Sequence, residues 1–272
     1  MNSASIAGSE AAAAAVAREA VELPEPWAGE PIAVVVPTYN EVRNVPPLAE
    51  RVFALKLPNL RLIIVDDNSP DGTGDVAEDI AAQANADRPG SMTVVHRQVK
   101  DGIGRAHIAG MKAALERGDR YVVQMDGDLS HPPEFIPEFL GTMLATRAGL
   151  VIGSRYVPSG SLSANWGLHR RMLSRGGTMY VNSILHTRIS DTTGGFKLWR
   201  ADVLEAIDLD AVQSSGFSFQ IEMNYRAQRK GFKIVEVPIH FDERFSGSSK
   251  ISLAIQLEGL RVPLALRFNK KI

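Results

Sequence analysis

The spacing of apolar positions divides the chain into a regular first half and a less regular second half. Ile32-Ala33-Val34-Val35-Val36 is a fully apolar, β-branched run, as expected of a strand covered on both faces. Pro37-Thr38-Tyr39-Asn40-Glu41 ends it. Asn44 stands where it would cap a helix that takes Pro46 and Pro47 in its first turn and runs to about Leu57. Leu60 to Val65 reads as a second strand, stopped by the turn cluster Asp66-Asp67-Asn68-Ser69-Pro70-Asp71-Gly72-Thr73. A helix follows to about Ala86, then a third strand from Met92 to His96. Gly102-Ile103-Gly104 leads into a helix with Gly118 as its C-cap. Tyr121-Val122-Val123-Gln124-Met125 is a fourth strand. It runs into Asp126-Gly127-Asp128-Leu129-Ser130-His131-Pro132, after which a double proline starts a helix. Alternation of strand and helix implies right-handed crossovers and a parallel sheet, an α/β fold. The strand ends at Tyr39, Asp67 and Asp126 would then lie along one edge.

In the second half, Leu150-Val151-Ile152 is a fifth strand ending in Gly153-Ser154-Arg155-Tyr156, followed by a polar loop over 157–167 that contains Trp166. A helix from about Leu168 to Leu185 carries Arg170, Arg171, Ser174 and Arg175 in its first two turns. Asp191 to Arg200 reads as a turn feeding a short strand, Gly216 to Arg229 as a helix, and Phe232 to Val237 as a last strand. Ile251, Ile255, Leu257, Leu260, Leu264 and Phe268 make one apolar helical face, with Arg261, Arg267, Lys270 and Lys271 toward its end. The expected organisation is a mobile N-terminal tail over 1–28, a catalytic domain over 29–250, and a C-terminal amphipathic helix over 251–272.

Composition narrows the chemistry. In 272 residues, 30 basic side chains face 31 acidic ones, a net charge of -1, so no basic field exists to hold nucleic acid. The absence of cysteine excludes disulfides, zinc-thiolate sites, iron–sulfur clusters and thiol nucleophiles. No apolar run approaches the ~20 residues of a membrane-spanning helix. The alanine-rich stretch Ala11 to Ala17 follows Glu10 rather than a basic segment, which argues against a signal peptide.

The candidate chemistry centres on Asp126 and Asp128. They are hard oxygen ligands at the C-terminal end of a strand, the edge where open α/β sheets bind ligands. Magnesium and manganese prefer carboxylate, water and phosphate oxygens. Gly127 between them lets substrate or backbone come close. A bare Asp-x-Asp also fits a pair of solvated turn aspartates. No Gly-x-Gly-x-x-Gly follows the first strand and no Walker sequence occurs, which disfavours a dinucleotide fold and a P-loop. His107, His131 and His169 read as structural histidines, and Trp166 and Trp199 as packing residues.

Five ordered blocks change the weight of the Asp-x-Asp. They are Pro37-Thr38-Tyr39-Asn40-Glu41; Asp66-Asp67-x-Ser69-x-Asp71-Gly72-Thr73; Asp126-Gly127-Asp128-x-Ser130-His131-Pro132; Gly153-Ser154-Arg155-Tyr156; and Arg244-x-x-Gly247-x-Ser249-Lys250. Together, over roughly residues 32 to 255, they resemble family 2 glycosyltransferases of the GT-A (nucleotide-diphospho-sugar transferase) fold, and within it the dolichol- or polyprenol-phosphate mannose synthases. The resemblance implies a mainly parallel central sheet flanked by helices. It implies inverting transfer of mannose from GDP-mannose to a polyprenyl phosphate, giving a β-linked lipid-phosphate mannose and GDP, with Mg2+ or Mn2+ as cofactor. By similarity Pro37, Tyr39, Glu41, Val65 and Asp67 hold the nucleoside. Asp126, Gly127 and Asp128 approach the diphosphate and metal, with Ser130 as a further metal or metal-water contact. Arg244 and Lys250 clamp the donor phosphates, and Arg155, Arg170 and Ser174 meet the acceptor phosphate. Asp128, Arg155, Arg244 and Lys250 are the catalytic candidates.

An acceptor phosphate monoester, with a second pKa near ~6, is already a dianion at neutral pH and needs no general base. Relatives often carry glutamine where Ser130 stands, which weakens direct ligation there. The lipid acceptor implies a membrane surface, with an integral-membrane partner as a further expectation, for a protein expected in the cytoplasm and peripheral at the cytoplasmic face. A related transferase using UDP-glucose or another donor, and a catalytically silent nucleotide-sugar binder, are the alternatives.

Overall fold

The computed structural model describes residues 19–162, 168–214, 216–241 and 253–269; the side chains at 168–171, 217 and 253–257 lie outside that description. Within it, strand β1 (Ile32–Thr38) is followed by α1 (Val45–Phe53), β2 (Leu60–Asp66), α2 (Thr73–Asp87), β3 (Met92–His96), α3 (Ile103–Glu116) and β4 (Tyr121–Gln124). A single 3-10 turn at Pro133–Phe135 leads into α4 (Ile136–Thr146). Next come β5 (Leu150–Ser154), β6 (Ser161–Leu162), α5 (Leu168–Leu185), β7 (Lys197–Arg200), α6 (Ala201–Ala206), α7 (Gly216–Arg229), β8 (Ile234–Pro238), β9 (His240–Phe241) and α8 (Leu253–Phe268).

The main sheet runs β3-β2-β1-β4-β7-β5-β8. β1, β2, β3 and β4 are mutually parallel, and β5 is parallel to β8. β7 lies antiparallel between β4 and β5. The continuous apolar runs follow from burial of both faces. Ile32, Val34 and Val36 of β1 pack with α1 and α4 through Val45, Leu48, Val52, Phe139 and Leu140. Ala33 and Val35 point the other way, toward Ala106 and Met111 of α3 and, farther along, Phe219 and Met223 of α7. A smaller cluster of Val181, Leu185, Ile221, Tyr225 and Leu266 ties α5, α7 and α8 together.

Several expectations shift. Ala20 and Leu23 pack against the first core cluster and Lys56 pairs with Glu22, so this part of the supposed mobile tail belongs to the domain. Asn44 occupies the N-cap position of α1 but caps nothing with its side chain; its amide instead donates to Glu41. Gly118, at φ +78, does supply the left-handed step after α3. The apolar stripe on α8 faces outward: Leu260 is 53%, Leu264 43% and Phe268 78% exposed, while Val262 and Leu266 on the other side meet the domain.

Candidate active site

Strand register sets the site. Thr38 stands beside Asp66 and Asp66 beside His96, so β1, β2 and β3 end flush. Tyr39, Asp67 and Arg97 are therefore the first residues beyond three adjacent strand ends. The loop after β1 is fastened to the loop after β2 by three backbone donors. Asn40 N–H reaches Ser69 Oγ at 3.1 Å, Glu41 N–H reaches Thr73 Oγ1 at 2.9 Å, and Val42 N–H reaches Asp71 Oδ2 at 3.3 Å. Asp66 in turn accepts the Ser69 N–H at 3.1 Å, and Asp67 N–H reaches Thr38 O at 3.0 Å. The dense turn residues that stop the second strand thus build one wall of a cleft whose other wall is Pro37–Glu41.

Asp67 is buried and ion-paired with Arg97, which also pairs with Asp101. Burial pushes the Asp67 carboxyl up, and Arg97 pulls against it. Lys100 sits over the Tyr39 ring, its Nζ 3.2 Å from the centroid. Neither Arg97 nor Lys100 stood out in the sequence. The signal for Arg97 was the register: with β2 and β3 parallel, the residue after His96 faces the residue after Asp66.

Asp126 and Asp128 emerge from β4 beside this cleft. Asp128 Oδ1 accepts the Ser130 N–H at 3.1 Å and the Ser130 hydroxyl at 2.5 Å. Ser130 therefore orients Asp128, and its proton is committed to that carboxylate. Asp126 N–H donates to His131 Nδ1 at 3.0 Å, which fixes that nitrogen as an acceptor on a neutral ring. Burial lowers the His131 pKa against the pull of both aspartates, in keeping with that tautomer. His131 also stacks on Phe196, with centroids 5.1 Å apart. A Cβ on Gly127 would stand 3.2 Å from Pro37 O, so any other residue would press on that backbone where the two loops approach. Among the described residues no group of three or more acidic, histidine or cysteine side chains could cage a metal. Two carboxylates on one turn suit instead a magnesium- or manganese-like ion that takes its remaining ligands from water and phosphate.

Behind the aspartates lies a buried polar group that sequence reasoning missed. Lys197 on β7 is 0% exposed; its Nζ donates to Gln220 Oε1 at 2.7 Å. Gln124 Nε2 donates to the same oxygen at 2.8 Å, and Trp199 Nε1 donates to Gln124 Oε1 at 3.1 Å. Burial lowers the Lys197 pKa to about 7. His107 stacks on Phe219 with its Nε2 3.9 Å from Asp126 Oδ1, and burial lowers its pKa to about 3.

At the end of β5, Arg155 grips Asp191 with Nε and Nη2 at 2.7 Å each and reaches Thr193 Oγ1 at 3.2 Å. Burial opposes the arginine's charge, but Asp191, Tyr156 and Asp126 together raise its pKa. The Tyr156 ring lies 5.4 Å from the guanidinium carbons of both Arg155 and Arg175. That contact brings the start of α5, with Ser174, against the end of β5. The Arg170 side chain, together with Arg244 and Lys250, lies outside the described residues.

The glycosyl transferase family 2 model matches residues 33–208. An undecaprenyl-phosphate mannosyltransferase of Micrococcus luteus is 43% identical over 250 residues, covering 86% of this chain and 99% of that protein. A polyprenol monophosphomannose synthase of Mycolicibacterium smegmatis is 45% identical over 219 residues, 80% of each. Among solved structures, glucosyl-3-phosphoglycerate synthase of Mycobacterium tuberculosis with Mn2+, UDP and phosphoglyceric acid superposes at a TM-score of 0.63 and 18% identity, covering 89% of this chain and 80% of that one. A mannosyltransferase of Pyrobaculum calidifontis in complex with GDP-Man and Mn2+ gives 0.54 and 15%, over 90% and 65%. These two share the fold. With the mainly parallel sheet, the flush strand ends and the aspartate pair at their edge, the chain belongs to glycosyl transferase family 2.

Proposed function

We propose that the protein transfers mannose from GDP-mannose to a polyprenyl phosphate with inversion at the anomeric carbon. The single observation that carries this reading is the pairing of Asp126 and Asp128 with the cleft between the loops after β1 and β2, in a chain whose two mannosyl-transferring relatives are 43% and 45% identical. Pro37, Tyr39, Glu41, Val65 and Asp67 would line the nucleoside. Asp126 and Asp128 would hold a divalent metal, Mg2+ or Mn2+, which when bound supplies charge to the departing diphosphate. Arg244 and Lys250 are proposed to close over the same phosphates. Arg155, Arg170 and Ser174 are proposed for the acceptor phosphate, with Asp191 fixing the plane of the Arg155 guanidinium.

In this reading a phosphate oxygen of the lipid attacks the anomeric carbon as the bond to the GDP oxygen breaks. The dianionic phosphate is nucleophilic without a base, so none of the buried histidines is asked to take a proton. Arginine suits phosphate because its planar fork donates twice, and Arg155 has given the Nε–Nη2 edge of its fork to Asp191. Catalysis then rests on charge placed where the leaving group becomes more negative.

A lipid acceptor needs an approach from the membrane. Among the described residues no helix is long and apolar enough to cross one. Met172, Leu173 and Met179 on α5 and Leu260, Leu264 and Phe268 on α8 are exposed, and the two helices are joined by the Tyr180 hydroxyl donating to Leu260 O at 2.8 Å. Exposed Arg175, Arg261 and Arg267 stand among them. We read this face as lying on the cytoplasmic surface of a membrane, apolar side chains inward and arginines at anionic headgroups. An integral-membrane partner at the same face is a further part of the proposal.

The test is transfer of labelled sugar to a prenyl phosphate, comparing GDP-mannose with UDP-glucose in Mn2+, in Mg2+ and in EDTA. Mannose transfer that stops in EDTA is the expected result. Glucose transfer would keep the reaction class and overturn the donor. Failure of both donors would overturn the reading of the chain as a self-sufficient transferase.

A further inference from the structure

The orientation of one buried amide can be deduced from its neighbours. An indole and an ammonium group only donate hydrogen bonds. Trp199 Nε1 points at Gln124 at 3.1 Å, so the atom of Gln124 that meets it is Oε1. Gln124 must then offer Nε2 to Gln220, at 2.8 Å. Gln220 receives that donor and the Lys197 ammonium, at 2.7 Å, on its Oε1. The Trp199 indole thus determines Gln124 and, through it, Gln220, the Lys197 Nζ meets the same oxygen, and the Gln220 NH2 is left pointing away from the network. Its Nε2 lies 3.6 Å from the point where a Cβ on Gly195 would stand. Asp126 Oδ1 is 3.5 Å and His131 Cε1 3.3 Å from that same point. Among the described residues, the missing side chain of Gly195 leaves a methyl-sized hollow at contact distance from an amide donor and from the first aspartate of the Asp-x-Asp.

A buried lysine is a costly way to hold a glutamine. An apolar residue at position 197 would avoid the desolvation of an ammonium in a site that is 0% exposed. The arrangement makes sense if the direction of the amide matters, because a glutamine held by shape alone can turn over and present its oxygen instead. The carboxylate of Asp126 and the hydrogen-bonded turn behind it already fix the neighbouring wall. What an outward NH2 adds at this place is a donor for an oxygen on whatever lies against Asp126.

We propose that Gln220 is a specificity-determining contact, its NH2 donating to a hydroxyl oxygen of the transferred sugar in the hollow over Gly195, and that Lys197 is the positioning residue that keeps this donor outward. The inference rests on the reading of Asp126 and Asp128 as the diphosphate site. The two can fail separately.

The experiment compares dissociation constants for GDP-mannose and for GDP, with Mn2+ present throughout, by calorimetry on the full chain. Gln220→Glu keeps one oxygen for Lys197 and Gln124 but sets a second oxygen where the NH2 stood. Gln220→Leu with Lys197→Met removes the donor and the ammonium together. Taking the ratio of the two constants cancels changes in charge and in folding that both ligands feel alike. In both variants the ratio of the GDP-mannose constant to the GDP constant should rise about tenfold, the worth of one hydrogen bond lost with its partner left unpaired. The kcat/KM for mannose transfer should fall by a similar factor. A ratio equal to that of the wild type in both variants overturns the sugar contact, whatever happens to thermal stability. Equal weakening of GDP and GDP-mannose overturns it too, since the contact would then be to phosphate or merely structural. A wild-type protein that binds neither guanine nucleotide overturns the donor reading, and this inference with it.

Discussion

Arg155 and Asp191 face each other across the end of β5 with two parallel hydrogen bonds of 2.7 Å, and the Asp191 side chain is wholly buried. Glu236 on β8 accepts the Ser190 and Asp191 N–H groups at 2.8 and 3.0 Å, so the aspartate is fixed from behind as well. Asp191→Asn would leave the guanidinium buried without its counter-charge. A loss of about 3–5 kcal/mol is expected for one partner of a buried pair. In a protein of this size that lowers Tm by on the order of ten degrees. Thermal unfolding at neutral pH checks it. Arg155→Met combined with Asp191→Leu should cost less than Asp191→Asn alone, because no charge is stranded.

Lys197 gives stability a pH dependence of definite sign. Its pKa falls from 10.5 in the unfolded chain to about 7 in the fold. Between those values the unfolded chain holds a proton the native state has released, so this group's contribution rises with pH from about 7 to 10.5. The slope is at most about 1.4 kcal/mol per pH unit. Below pH 7 its cost is constant. Urea titrations across this range should show the slope in the wild type and a flatter one in Lys197→Met. Equal slopes would mean the ammonium is solvated.

Ser130 and Asp128 should separate in their effects. Asp128→Ala removes a carboxylate proposed to hold the metal and should lower kcat by about a hundredfold or more. Ser130→Ala removes the hydroxyl that orients Asp128 but leaves the Ser130 N–H bond of 3.1 Å in place. A few-fold rise in the metal concentration needed for half activity, with kcat little changed, is the expected result. A metal titration of activity distinguishes the two variants.

The exposed stripe of α8 can be tested apart from catalysis. Leu264→Asp with Phe268→Asp puts charge on positions that are 43% and 78% exposed and so should leave folding unchanged. Sedimentation with anionic vesicles should fall severalfold. Transfer to a short soluble prenyl phosphate should not change. Equal binding of both proteins to vesicles would remove the membrane role of this face.

The elements most legible in the sequence were those with one dominant signal. β1, β2 and β4 announced themselves because strands covered on both faces have no polar alternation to confuse with anything else. The helices at Leu168–Leu185 and Gly216–Arg229 appeared with the bounds expected of them. β7 was read as a short strand, but its antiparallel place between β4 and β5 was not, because four residues carry no information on direction. Nothing in the sequence marked Lys197, since an ammonium in a core is rare and its partners Gln124 and Gln220 are far away in the chain. For α8 the periodicity was legible and the apolar stripe is the outward one; the inward side, with Val262 and Leu266, was not marked, because a helix with apolar residues on two sides gives no hint of which side meets the domain. Arg97 and Lys100 were hidden because they act through spatial register and not through a local motif.

The ten residues from Asp191 to Arg200 join matters that a chain could have kept apart. Asp191 holds Arg155 beside the start of α5, Gly195 floors the hollow beside Asp126, and Lys197 orients Gln220. With the proposed site assignments, a change in this segment is felt on the acceptor side and the donor side at once. Redesigning the sugar preference of this scaffold by loop exchange here would disturb the acceptor wall as well. Position 220 lies outside this segment, on α7, and a change there leaves the Arg155–Asp191 pair standing while it touches Lys197 and Gln124.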